Sequence, residues 1–227
     1  MTIIFDKSKK ISLDDESFRS ELLSIASKID DVIPLGRGDP DFHTPKHIVD
    51  AAKKALDDNK HHYTPPNGLP ELRVAISKNL LKKYNLNYSE NEIVVTAGVQ
   101  ESIALAMLSL LETGDEVLIT SPRFTTYDLN VRMCNAKPIP IPTYEKNNFS
   151  LMPEIIESKI NERTKVIVLV SPNNPTGAVT PPENIKKIAE IAIKHNLIVI
   201  ADEIYADLIY ENHQHLSIGT LEKMKER

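Results

Sequence analysis

The chain has 227 residues, 41% of them hydrophobic and 26% charged, and a formal net charge of −5. That is enough apolar material for one ordinary domain or two small ones, and a mildly acidic chain without long Lys or Arg runs argues against nucleic acid or an anionic membrane as its main partner. The longest apolar runs, 166–170 and 197–201, are too short to span a bilayer.

In chain order, the first 35 residues read as a separate arm, with a helix near 12–28 followed by Asp30, Asp31 and Pro34. Residues 36–227 form the main body. Helical patterns cover 45–58 and 70–84. Strand patterns at 92–96 (EIVVT), 116–120 (EVLIT), 137–141, 165–170 and 197–201 then alternate with helical ones at 100–111, 125–135, 152–160 and 182–195. Such alternation predicts βαβ units, hence an α/β fold with a mostly parallel sheet and helices on both faces. No apolar stretch of signal-peptide length opens the chain. The single cysteine, Cys134, cannot close an internal disulfide and reads as a buried structural thiol. These features predict a soluble cytoplasmic protein.

Parallel α/β sheets bind ligands beyond the carboxyl ends of their strands, and the polar groups of this sequence collect there. EIVVT runs into Ala97-Gly98-Val99-Gln100-Glu101, a glycine turn opening a helix, whose backbone N–H groups suit a phosphate. EVLIT runs into SPRFTTY, which sets Phe124 just past the strand. KVIVLV ends in Ser171-Pro172-Asn173-Asn174-Pro175-Thr176-Gly177, a turn far stiffer than a plain connection needs. LIVIA is followed by Asp202, Glu203 and Tyr205. Taken singly, Phe124 is a core aromatic, the asparagines are turn formers and Asp202 is a helix cap. Converging on one edge of one sheet, they offer a phosphate cradle, an aromatic face, an amide and a phenol for one oxygen, and a carboxylate. Pyridoxal 5′-phosphate needs all of these. A carboxylate beside its pyridine nitrogen keeps that nitrogen protonated, and the protonated ring is the better electron sink.

With these residues in view, the sequence from about Ile33 to Glu211 resembles the class I/II aminotransferases, pyridoxal-phosphate enzymes of fold type I. LGRGDPDFHTP, HYTPPNGLPELRVAI, TAGVQESI, SPRFTTY, SPNNPTGAV and ADEIY follow in that family's order and spacing. The resemblance implies a three-layer αβα large domain, here incomplete. It implies that Asp202 pairs with the pyridine nitrogen, that Asn174 and Tyr205 share the phenolic oxygen, and that Phe124 stacks on the ring. The backbone of Val99 and Gln100 would receive the phosphate, and Gly38 would lie where the substrate carboxylate meets the backbone. Tyr63 would reach the cofactor of a neighbouring subunit, making a homodimer the active unit. Asn173 is structural on this reading. The substrates would be an amino acid and a 2-oxo acid; no metal, nucleic acid or membrane is implied.

The resemblance breaks near the end. The family's Schiff-base lysine lies on a later strand, and the lysines after Asp202, Lys223 and Lys225, sit in a charged tail without strand pattern. The expectation is therefore an N-terminal part of a longer aminotransferase, inactive by itself. Two later strands outside this sequence are expected to separate 92–96 from 165–170, leaving a slot of three strand spacings, roughly 14 Å, with exposed edges. Gln100, where some aspartate-using members carry lysine, argues mildly against acidic substrates. Arg37 reads as a solvent-facing residue. Three rival readings bear on function. A nicotinamide dehydrogenase is rejected because Gly36 and Gly38 lack a third glycine and Pro40 follows. A carbon–sulfur lyase of the same fold and a non-catalytic fragment stay open.

Overall fold

In the computed structural model, residues 21, 22, 24–33 and 42–227 are described. Gly38, Arg37, most of the helix expected near 12–28 and the core of the LGRGDPD motif lie outside them, although residues 21, 22 and 24–26 are helical. The chain divides into two compact units, Met1–Pro66 and Asn67–Arg227. In the first, helix α1 (Lys46–Asp57) follows Pro45 and buries no residue. Its i,i+4 pairs Lys46–Asp50 and Lys54–Asp58 are exposed and add only a few tenths of a kcal/mol each.

The second unit carries helices α2 (Pro70–Tyr84), α3 (Val99–Leu110), α4 (Thr126–Met133), α5 (Pro153–Lys159) and α6 (Pro182–Lys194). Its strands are β1 (Glu116–Ser121), β2 (Lys137–Pro142), β3 (Thr164–Val170) and β4 (Ile198–Asp202). Proline opens α2, α5 and α6, where its missing N–H costs nothing and its fixed φ suits the first turn. Asn85 ends α2 in the left-handed conformation at φ 57°, a position asparagine tolerates.

The sheet order is β2-β1-β3-β4, and every pairing is parallel. Side chains alternate between its faces. Val117, Ile119, Val166, Val168 and Val170 meet Ile103 and Met107 of α3 and Tyr127 and Val131 of α4. Leu118, Ile167 and Leu169 meet Ile156 of α5 and Ile185, Ile188 and Ala192 of α6. This is the expected three-layer α/β architecture. The central strands β1 and β3 are buried along almost their whole length, as parallel strands covered on both faces must be. In β2, prolines 138, 140 and 142 alternate. Their missing N–H groups all fall on one side, so the strand sits at the edge and keeps its bonding side for β1.

Two expectations need correction. Residues 92–96 do not form a strand of this sheet. A short 3-10 turn, Glu90–Glu92, is closed by a capping box with Ser89; beyond it Val95 N–H donates to the Asn67 carbonyl at 3.1 Å. The β-branched run stays outside the ladder because strand preference needs a neighbour to express it, and none flanks this segment among the described residues. The expected absence of ladder bonds between 92–96 and 165–170 holds, but no slot opens directly beside 165–170. β3 is bonded to β1 on one side and to β4 on the other, because consecutive parallel strands joined by a helix lie side by side. The outer edge is that of β4, where Val199 N–H donates to the Arg227 carbonyl at 2.7 Å.

Ile167 is 0% exposed at the centre of the sheet, whereas Leu108 on α3 is 61% exposed. Ile167→Ala is expected to cost about 2–5 kcal/mol of unfolding free energy in urea titrations, and Leu108→Ala less than about 0.5 kcal/mol.

Candidate active site

Because all four strands run parallel, the segments after β1, β3 and β4 emerge at one edge of the sheet. The turn after β3 is wired internally. Asn173 is buried; its Nδ2 donates to Thr120 Oγ1 of β1 at 3.2 Å, and its Oδ1 accepts from Thr176 Oγ1 at 3.0 Å. Its backbone N–H donates to the Ala178 carbonyl, and its own carbonyl accepts from Gly177 N–H. Gly177 takes φ 72°, and the peptides before Pro172 and Pro175 are cis. Asn173 thus uses its amide to tie the turn to β1 and to close it on Thr176. Asn174, next in the chain, turns its Nδ2 to the Tyr205 hydroxyl at 3.4 Å.

The carboxylate of Asp202 ends β4. Its Oδ2 accepts from the Tyr127 hydroxyl at 2.5 Å and its Oδ1 from Ile204 N–H at 3.1 Å. An ionised carboxylate has about four acceptor positions, so further ones remain open. Burial, then the bond to Asp202 and that residue's negative charge, push the Tyr127 phenol well above the ordinary tyrosine range, so it stays protonated and acts as a donor. From sequence alone, Tyr127 has the spacing of a core aromatic on α4. The signal that marks it is chemical: a buried tyrosine hydroxyl needs a partner.

At the other pole, α3 opens on Gly98 at φ 84° and ψ 169°, without a side-chain cap. Its first N–H groups, those of Val99 and Gln100 among them, are therefore left to another acceptor. Thr96 Oγ1 bonds both the Gly98 carbonyl (3.0 Å) and Ser102 Oγ (2.7 Å), and Glu101 accepts from Ala97 N–H, so the turn is braced from both sides. A cavity of about 360 Å³ runs from Val99 and Ser102 along Ile103 and Ala106 to Ile200, Ala201 and Asp202 of β4. Val99 and Asp202 thus line one cavity. Phe124, Asn174 and Tyr205 do not line it. Phe124 packs with Tyr127 and Val131 against one face of the sheet, beside the bidentate pair of Arg123 with Asp128.

The remaining expected residues stand elsewhere. Tyr63 belongs to the first unit and is fully exposed. Lys225 reaches Glu92 at 3.2 Å and lies over the Tyr88 ring, and Lys223 lines a groove with α6 residues. Among the described residues, no lysine lines the cavity of Val99 and Asp202.

Removing the Asn173 amide leaves the buried Thr120 hydroxyl of β1 and the half-buried Thr176 hydroxyl without this partner, so Asn173→Ala is expected to cost about 1–3 kcal/mol in chemical denaturation. Asn174→Ala, which loses one long contact, is expected to change stability by less than about 0.5 kcal/mol in the same titration.

The class I and II aminotransferase family model matches residues 30–226. An aspartate aminotransferase of Pyrococcus abyssi is 42% identical over 97% of this chain, which spans 57% of that protein. The solved aromatic aminotransferase of Pyrococcus horikoshii superposes with TM-score 0.85 at 40% identity, over 92% of this chain and 56% of its own. An alanine aminotransferase of Pyrococcus furiosus superposes with TM-score 0.89 at 34% identity, over 96% and 57%. The chain thus spans little more than half the length of these relatives, while the match covers nearly all of it. With a uniformly parallel sheet, the wired asparagine turn and the carboxylate closing β4, the chain belongs to the class I and II aminotransferases.

Proposed function

We propose that this chain carries the cofactor-holding part of a pyridoxal 5′-phosphate-dependent aminotransferase, which moves an amino group from an amino acid to a 2-oxo acid. The observation that carries the reading is the single cavity bounded by the uncapped turn at Val99 and the Asp202 carboxylate. The residues suit the cofactor. Open N–H groups at a helix N-terminus favour a phosphate dianion, and a carboxylate with spare acceptor positions favours a protonated ring nitrogen.

When bound, the cofactor supplies an electron sink for the charge left when the substrate loses its Cα proton. The work of the chain is to bind and orient. Val99 and Gln100 N–H groups would hold the phosphate, and Asp202 would hold the proton on the ring nitrogen. The resemblance assigns the phenolic oxygen to Asn174 and Tyr205, the ring face to Phe124 and the substrate carboxylate to the backbone at Gly38, with Phe124, Asn174 and Tyr205 standing outside the lining of this cavity. Tyr63, fully exposed in its own unit, serves the cofactor of a second subunit in a homodimer. On this reading residues 1–35 are an arm, 36–227 are the cofactor domain, and the enzyme works in the cytoplasm. No helix among the described residues is long and apolar enough to cross a membrane, and the single cysteine suits a reducing compartment.

Because no lysine lines the cavity among the described residues, the 227 residues alone are expected to retain pyridoxal phosphate non-covalently and to transfer no amino group. Equilibrium dialysis and coupled assays over several amino donors check this. A borohydride-stable adduct on Lys223 or Lys225 that supports turnover contradicts it. Sedimentation tests the pairing of subunits: a strictly monomeric chain at micromolar concentration removes the role given to Tyr63.

A further inference from the structure

The Asp202 carboxylate is held by two donors on its two oxygens. Ile204 N–H comes from its own turn, and the Tyr127 hydroxyl comes from a different helix. We infer that Tyr127 is the positioning residue of this site: its hydroxyl, donating to Asp202 Oδ2, fixes the carboxylate plane so that the open acceptor positions face the cavity shared with Val99. The inference rests on the cofactor reading above and adds to it a residue outside the cavity lining.

The geometry carries the argument. A carboxylate ending a strand rotates about its last side-chain bond, and one backbone donor on Oδ1 leaves that rotation open. A second donor on the other oxygen closes it. To act this way the donor must itself be immobile, and Tyr127 is 2% exposed and packed against Ile103, Met107, Val131 and Val170. Its neighbour Thr126 donates through Oγ1 to Gln100 Oε1 at 3.4 Å. Consecutive residues in the first turn of α4 therefore touch both poles of the site, one at the anion turn and one at the carboxylate. Burial, the bond to Asp202 and the neighbouring negative charge keep the phenol protonated, so its hydroxyl remains a donor. A phenylalanine fills the same space without the donor, which separates positioning from packing.

The test uses the 227-residue chain with two ligands in calorimetric titrations. Pyridoxine 5′-phosphate has the ring nitrogen but no aldehyde to react with surface lysines. Benzyl phosphate keeps the phosphate and an aromatic ring and lacks the nitrogen. Tyr127→Phe is expected to weaken pyridoxine 5′-phosphate about five- to tenfold and benzyl phosphate by less than about twofold, the scale of one hydrogen bond to a charged group felt indirectly. Asp202→Asn weakens pyridoxine 5′-phosphate as well, and adding Tyr127→Phe to it brings no further loss, because the donor then has no carboxylate to orient. If Asp202→Asn weakens binding and Tyr127→Phe leaves it unchanged, the inference falls and the cofactor reading stands. Equal weakening of both ligands by Tyr127→Phe, with a lowered thermal midpoint, makes Tyr127 a packing residue and overturns the inference. If the chain does not distinguish the two ligands and Asp202→Asn changes neither, the cofactor reading fails and the inference fails with it.

Discussion

The parallel pairing of β3 with both β1 and β4 is the constraint on which the site depends. Val168 stands beside Ile119 on one side and beside Ile200 on the other. With that register set, Thr120, Asn173 and Asp202 arrive together at one edge. An antiparallel neighbour, or a one-residue slip, would carry one of them to the opposite edge or the opposite face. Burial enforces the register. The alternating side chains of β1 and β3 are packed on both faces, so a shifted strand would exchange two full sets of apolar contacts.

Upon that frame the polar groups divide the labour. Asn173 and Thr120 join the ends of β3 and β1 through a buried side-chain bond. Ser171 N–H donates to the Asp202 carbonyl at 3.2 Å, carrying the ladder one residue beyond β3 and fixing the start of the Asp202 turn. Asn174 and Tyr205 are thereby free to present side chains to each other, while the Asp202 carboxylate holds only the Ile204 N–H of its own turn among backbone groups. A buried amide is costly when unpaired, and Asn173 is bonded at Nδ2, at Oδ1 and at both of its backbone groups.

Much of this was legible in the sequence because the signals are local. The strands and helices of residues 99–202 follow from hydrophobic period, prolines at helix starts and the glycine turn at Gly98. The stiffness of the Asn173 turn is visible in its two prolines and its glycine. What escaped the sequence is what depends on distant neighbours. Residues 92–96 have a strand composition, but Val94 is 60% exposed and no ladder claims the segment. The position of β4 beside β3 follows from the order strand, helix, strand and not from composition. The bond from Tyr127 to Asp202 joins residues 75 apart in the chain, and nothing local to either announces the other.

The central claim is that the uncapped α3 turn and the Asp202 carboxylate form one ligand site. Backbone amide chemical shifts of the chain, followed while pyridoxine 5′-phosphate is titrated in, test it most directly. The account predicts the largest changes at Val99, Gln100 and residues 202–205, saturating together with one dissociation constant. Changes centred instead on the groove of Lys186, Ala189 and Ile193, or on the cavity of Tyr88 and Met224, would contradict it.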